Sequence, residues 1–99
     1  MITSKNNLFS GVSIGHSCGI GSCAEYQAIG TMISNGEKEI KTIVAVTKNG
    51  RVIPPCGKCR EMIYQTCKKN KDTWIIISNT KKVKLNALIP YSWGGTIEK

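Results

Sequence analysis

Long apolar runs are missing from this chain. None approaches the roughly 18 residues that a membrane-spanning helix needs. The opening MITSKNN has no basic stretch leading into an apolar one, so no export signal is expected, and the sequence reads as cytoplasmic and without a membrane partner. Repeats, low-complexity tracts and linkers are also lacking, which points to one domain over residues 1–99 with one modest core. Acidic residues are scarce: six Asp and Glu stand against fourteen Lys and Arg, giving a formal net charge of +8. Between Thr66 and Lys84 lie Lys68, Lys69, Lys71, Lys81, Lys82 and Lys84 with Asp72 as the one acid. Such a stretch reads as a solvated face, or as a surface for phosphates or nucleic acid. Arginine-aromatic interleaving and the usual RNA- and DNA-binding signatures are absent, so a nucleic-acid partner is not expected.

What the chain does have is cysteine at five positions, 18, 23, 56, 59 and 67. An odd number without an export signal argues against a disulfide framework. In a reducing compartment, clustered cysteines more often bind metal or do chemistry.

The pattern along the chain alternates strand and helix. LFSGVSI (8–14) reads as a strand interrupted by Gly11, and a glycine-rich loop follows. Ser22 is a candidate N-cap for a helix through about Ser34, with Ala24, Ala28, Ile29, Met32 and Ile33 on one face and Asn35-Gly36 closing it. TIVAVT (42–47) is a short apolar strand of the buried parallel kind, and Asn49-Gly50 is a turn. Pro54 and Pro55 hold the chain extended before a second helix at about 57–68, whose inner face is Cys59, Met62, Ile63, Thr66 and Cys67. TWIIIS (73–78) is a second buried strand, Lys82–Leu85 a weaker one, and the tail contains a short helical turn. The order β-α-β-α-β predicts an α/β fold with a mainly parallel sheet and helices packed on it.

Two stretches carry chemistry: Cys23-Ala24-Glu25 and Pro55-Cys56-Gly57-Lys58-Cys59-Arg60, each at a helix start. Cys56 and Cys59 are three apart, so both sulfurs can reach one point. If the two helices lie side by side with their N-termini together, the Cys23 sulfur joins them. Three thiolates on Zn²⁺ leave a tetrahedral ion one ligand short, which marks a catalytic rather than a structural zinc. Water in that place is acidified to a pKa of about 7. The positive helix ends would offset the net negative charge of the cluster, as would Arg60 if it donates to the sulfurs. Glu25 is suited to face the open position and shuttle protons. A metal ligand two residues before a glutamate, followed by P-C-x-x-C, is the signature of zinc nucleobase deaminases.

At these residues the chain resembles the cytidine deaminase family. CAEYQAIG (23–30) and PPCGKCREMI (54–63) are similar to that family's two zinc helices, SGVSI (10–14) to its second strand, and IPYSWGG (89–95) to its closing segment. The resemblance implies a three-layer α/β/α fold with a mixed, mostly parallel sheet. It implies zinc on Cys23, Cys56 and Cys59, Glu25 as proton shuttle, and a homo-oligomer, dimer or tetramer, with active sites near subunit contacts. It implies hydrolytic deamination of a cytosine nucleoside or analogue. The chain departs from the family in lacking the N-x-E-N run that holds ribose; Ser13-Ile14-Gly15-His16 stands there instead. Blasticidin-S deaminases also lack that run, have a nearby histidine, and carry a Tyr-x-Trp that Tyr91-Ser92-Trp93 resembles. Glu61 replaces the family's usual Gln. The family's N-terminal helix and most of its first strand have no counterpart before SGVSI, so the chain reads as a shortened member.

Plainer alternatives stand beside these expectations. The three cysteines could be small buried thiols, and Cys18 and Cys67 packing residues. His16 either shapes its loop or touches substrate, as Ser13 could. Tyr91 and Trp93 either cover the core or stack on a base at the pocket rim. A rival function is a structural zinc module in which Cys18, Cys23, Cys56 and Cys59 close the site and the basic surface binds nucleic acid; it gives Glu25 no task.

Overall fold

The computed structural model describes residues 1–13 and 23–93. Among the described residues are five strands and three helices: β1 (Ile2–Thr3), α1 (Ala24–Ser34), β2 (Ile40–Val46), β3 (Val52–Ile53), α2 (Gly57–Thr66), β4 (Trp74–Ser78), β5 (Lys81–Lys84) and α3 (Leu85–Leu88), with a 3-10 turn at Lys68–Asp72. The sheet order is β1-β2-β4-β5, and β3 pairs with the end of β2.

The sheet is mixed, as the family resemblance implies, but its parallel content is smaller than the element order suggests. Only β2 and β4 run parallel, with Ile43 opposite Ile75 and Val44 opposite Ile76. The pairs β1–β2, β2–β3 and β4–β5 are antiparallel. The reason is local. A crossover through α2 is long enough to return the chain in the same direction, whereas the short connections at Asn49-Gly50 and at Asn79-Thr80 can only reverse it. Strand β3 was not expected. It exists because Gly50, at φ +77, closes a hairpin in which Thr47 and Arg51 exchange a backbone hydrogen bond of 2.9 Å.

Helix α1 stops where the sequence predicts. Gly36 adopts φ +80, its N–H donates to Ile33 O, and the Glu37 N–H donates to Met32 O. The N-cap is Cys23, one residue later than expected, and its side chain makes no capping bond; Ser22 lies outside the described residues. Ala28, Ile29 and Met32 are buried, while Ile33 is exposed rather than on the core face. Helix α2 ends at Thr66, two residues before the expected 68, because the Lys68–Asp72 turn follows an extended Cys67. Residues 8–13 contribute only an isolated bridge from Leu8 to Ile2 rather than the expected strand.

Ile29 and Met32 of α1, Ile40 and Ile43 of β2, Ile63 of α2, Ile75 of β4 and Leu85 of α3 form one buried cluster. Burying each such side chain contributes roughly 1.5–3 kcal/mol. Ile40 and Ile43 share the core although an odd number of positions separates them. The register shift opposite Ile2/Thr3 inserts an extra residue in β2, and that bulge turns Ile40 inward. Alternation puts Thr42, Val44 and Val46 of β2, Trp74 and Ile76 of β4, and Lys82 and Lys84 of β5 on the opposite face. Of the three expected layers, the described residues supply the sheet and the helices against its inner face. On the outer face Val44 and Val46 stand 42% and 59% exposed. The ammonium groups of Lys82 and Lys84 lie over the Trp74 ring, 4.5 and 5.2 Å from its centroid. No helix among the described residues is long and apolar enough to cross a membrane.

Candidate active site at two helix N-termini

Cys23 and Cys56 are the N-caps of α1 and α2, both with extended backbone and neither with its side chain spent on capping. Cys59 lies one turn into α2 and is fully buried. With α1 packed beside α2, the three sulfurs converge: all lie within 4.8 Å of one another, and Cys23 Sγ is 3.8 Å from Cys56 Sγ. Sulfurs bonded at about 2.3 Å to one tetrahedral zinc stand about 3.8 Å apart, so this donor set fits that ion. Among the described residues no further His, Cys, Asp or Glu joins the group. Cys18 lies outside the described residues, as does His16.

The thiols are not equivalent. Partial burial would raise the Cys56 thiol. That effect is outweighed by the N–H groups of Cys59 and Lys58 at the start of α2 and by the thiols of Cys59 and Cys23, which hold it below its usual value. Cys59 is pushed far upward, first by burial and then by its hydrogen bond to Glu25 and that carboxylate's charge. Glu25 stands in the first turn of α1, two residues after Cys23. Lys58 bridges the same two helix ends, its ammonium 5.1 Å from the centroid of the Tyr26 ring.

Arg60 follows Cys59 in α2. Its guanidinium bonds carbonyls rather than sulfurs: Nε donates to Pro55 O at 2.9 Å and Nη1 to Leu88 O at 3.3 Å. It thus fixes the loop that delivers Cys56 and ties α3 to α2. Glu61 accepts the Trp93 N–H at 2.5 Å. Tyr91 and Trp93 are 94% and 62% exposed, so neither ring covers the core. Ser13 is exposed at the end of the first described segment. A cavity of about 340 Å³ lined by Ile33, Gly36, Glu37, Lys38 and Thr66 lies at the far end of α1 and shares no residue with the cysteines.

Sequence reasoning missed Gly11 and Gln27. A Cβ on Gly11 would stand 2.5 Å from Ala24 O and 2.8 Å from Gln27 Cβ. Gln27 bonds both backbone groups of Val12. The sequence signal was there only as a glycine inside an apparent strand, which marks a close backbone approach as readily as a break.

No protein-family model matches the chain. Individual proteins do. A blasticidin-S deaminase from Bacillus cereus is 40% identical over 82 residues, covering 72% of this chain and 56% of that protein. A cytidine deaminase from Halalkalibacterium halodurans is 30% identical over 78 residues, covering 75% of this chain and 58% of that protein. The chain thus matches a little over half the length of these relatives. Among solved structures, the cytidine deaminase from Mycobacterium tuberculosis superposes with a TM-score of 0.81 at 22% identity, over 94% of this chain and 74% of that one. The enzyme from Bacillus anthracis gives 0.78 at 18% identity, over 98% and 74%. In sequence, fold and cysteine triad alike, the chain belongs to the cytidine deaminase family.

Proposed function

We propose that the protein binds zinc through Cys23, Cys56 and Cys59 and hydrolytically deaminates a cytosine-type base, as the free nucleoside or an analogue such as blasticidin S. The observation that carries this is the convergence of three sulfurs at two helix N-termini, with Glu25 in the first turn of one of those helices. Zinc held there would supply a water molecule acidic enough to lose a proton near neutral pH. In hydrolysis a C–O bond forms at the ring carbon that bears the amine, the C–N bond breaks, and ammonia leaves. Glu25 takes a proton from the attacking water, gives it to the ring nitrogen, and carries the second proton to the departing amine. The helix N-termini stabilise the anionic cluster. Ser13, His16, Tyr91 and Trp93 are the candidates for holding the rest of the substrate, and a homo-oligomer belongs to the same proposal. The rival structural module leaves Glu25 without a task.

The test is loss of ultraviolet absorbance when zinc-loaded protein is incubated with cytidine, deoxycytidine and blasticidin S, together with the variants Glu25→Gln and Cys18→Ala. Turnover should fall at least about 100-fold in Glu25→Gln with zinc content kept in both variants. Zinc loss in Cys18→Ala with an indifferent Glu25→Gln would overturn the proposal in favour of a closed four-cysteine site.

A further inference from the structure

We infer that Gln27 is a positioning residue that sets one wall of the substrate site. The inference rests on the deaminase proposal above and goes beyond it by naming what holds that wall in register. Val12 belongs to no strand, yet both of its backbone groups are engaged by one side chain. Its N–H donates to Gln27 Oε1 at 3.3 Å, and Gln27 Nε2 donates to its carbonyl at 2.5 Å. A primary amide offers one acceptor and a pair of donors in a plane, so it can pair with a peptide unit as a neighbouring strand would. The adjoining residue is seated as closely. A Cβ on Gly11 would meet Ala24 O at 2.5 Å, Gln27 Cβ at 2.8 Å and Ala28 N at 3.2 Å. Contacts of that length to helix backbone admit glycine alone.

These contacts lay residues 11–13 across the first two turns of α1. Ala24, whose carbonyl Gly11 touches, stands between Cys23 and Glu25 in the chain. A ring presented to Glu25 would have this segment as its flank, with Ser13 the next residue along it. Gln27 acts on the site through the backbone of Val12, which it holds by both the N–H and the carbonyl. Substrate placement depends on it, whereas zinc binding and the proton shuttle do not.

The test uses the zinc-loaded full chain as wild type, Gln27→Ala, Gln27→Glu and Gly11→Ala. Val12 amide exchange is followed by NMR, zinc by elemental analysis, cytidine and blasticidin S affinity by calorimetry, and turnover by absorbance. Gln27→Glu keeps the acceptor for the Val12 N–H but sets an oxygen against its carbonyl. In all three variants Val12 exchange should speed up, and Kd and KM should rise together by about tenfold, with kcat within about twofold and zinc unchanged. Unchanged Val12 exchange, unchanged affinity, or zinc and kcat falling together would each overturn the inference. If wild type binds these ligands without turning them over, the deaminase proposal fails while Kd still judges the clamp; if it binds neither, both fail.

Discussion

Replacing Asn70 with alanine should cost the fold more than any substitution among the lysines around it. Asn70 lies in the Lys68–Asp72 turn yet is 1% exposed. Its Oδ1 accepts the Ile40 N–H at 2.8 Å, and its Nδ2 donates to Ile63 O at 3.1 Å and to Lys38 O at 3.0 Å. One side chain therefore joins the start of β2 to the second half of α2, the helix that carries Cys56 and Cys59. The bonds to Ile40 and Ile63 are buried, and that to Lys38 partly so. A buried polar group left without a partner costs about 1–3 kcal/mol. Two such groups and one weaker one place the loss at about 3–5 kcal/mol, a large share of the roughly 5–15 kcal/mol available to a domain. Asn70→Asp keeps the acceptor but turns a carboxylate oxygen toward two carbonyls, so near neutral pH it should be at least as damaging. Urea unfolding gives the difference as a shift of the midpoint at constant slope. A loss under about 1 kcal/mol for Asn70→Ala would refute this account of the buried amide.

Two further outcomes follow from the site and from the N-terminal segment. Cys56→Ser and Cys59→Ser should each abolish stoichiometric zinc binding by elemental analysis, but only the substitution at buried Cys59 should also lower the thermal midpoint of the metal-free chain; equal destabilisation by both would contradict the burial difference. The Glu37 carboxylate is held below the usual range by the Thr3 hydroxyl at 2.6 Å and the Asn7 amide at 2.8 Å, against a smaller opposing effect of burial. A depressed folded-state pKa contributes stability that is complete above the unfolded carboxylate pKa and disappears as pH falls through the folded value. Wild type should therefore exceed Glu37→Gln in stability near neutral pH, with the gap narrowing once pH falls below the unfolded carboxylate value and closing below the folded one; a gap that does not narrow in acid would show that charge is not its source.

The alternation of strand and helix was legible because hydrophobic periodicity and turn chemistry agree there. TIVAVT and TWIIIS became β2 and β4, and Asn35-Gly36 ended α1. The convergence of the three cysteines was legible because their spacing at two helix starts constrains sulfur positions strongly. What stayed hidden depends on partners distant in sequence. Asn70 sits within a lysine run that reads as solvated, and nothing local distinguishes an amide that bonds Ile40 and Lys38 across 30 and 32 residues. Residues 8–13 carry a strand pattern, but Gln27 and the contact of Gly11 with α1 override it. The direction of β3 turned on two residues after Gly50 that are too few to show a period.

Among the described residues the outer face of the sheet is only partly covered, and this has a thermodynamic signature. Unfolding a typical domain raises the heat capacity by about 12–15 cal/mol/K per residue, chiefly because apolar groups become hydrated. Val44 and Val46 are in part hydrated before unfolding begins, as are Ile2 and Leu8 on the N-terminal segment. Their contribution to that increment is already spent in part in the native state. The free energy of this fold should then vary with temperature along a shallower dome than its length implies, lower at its summit and broader across its flanks.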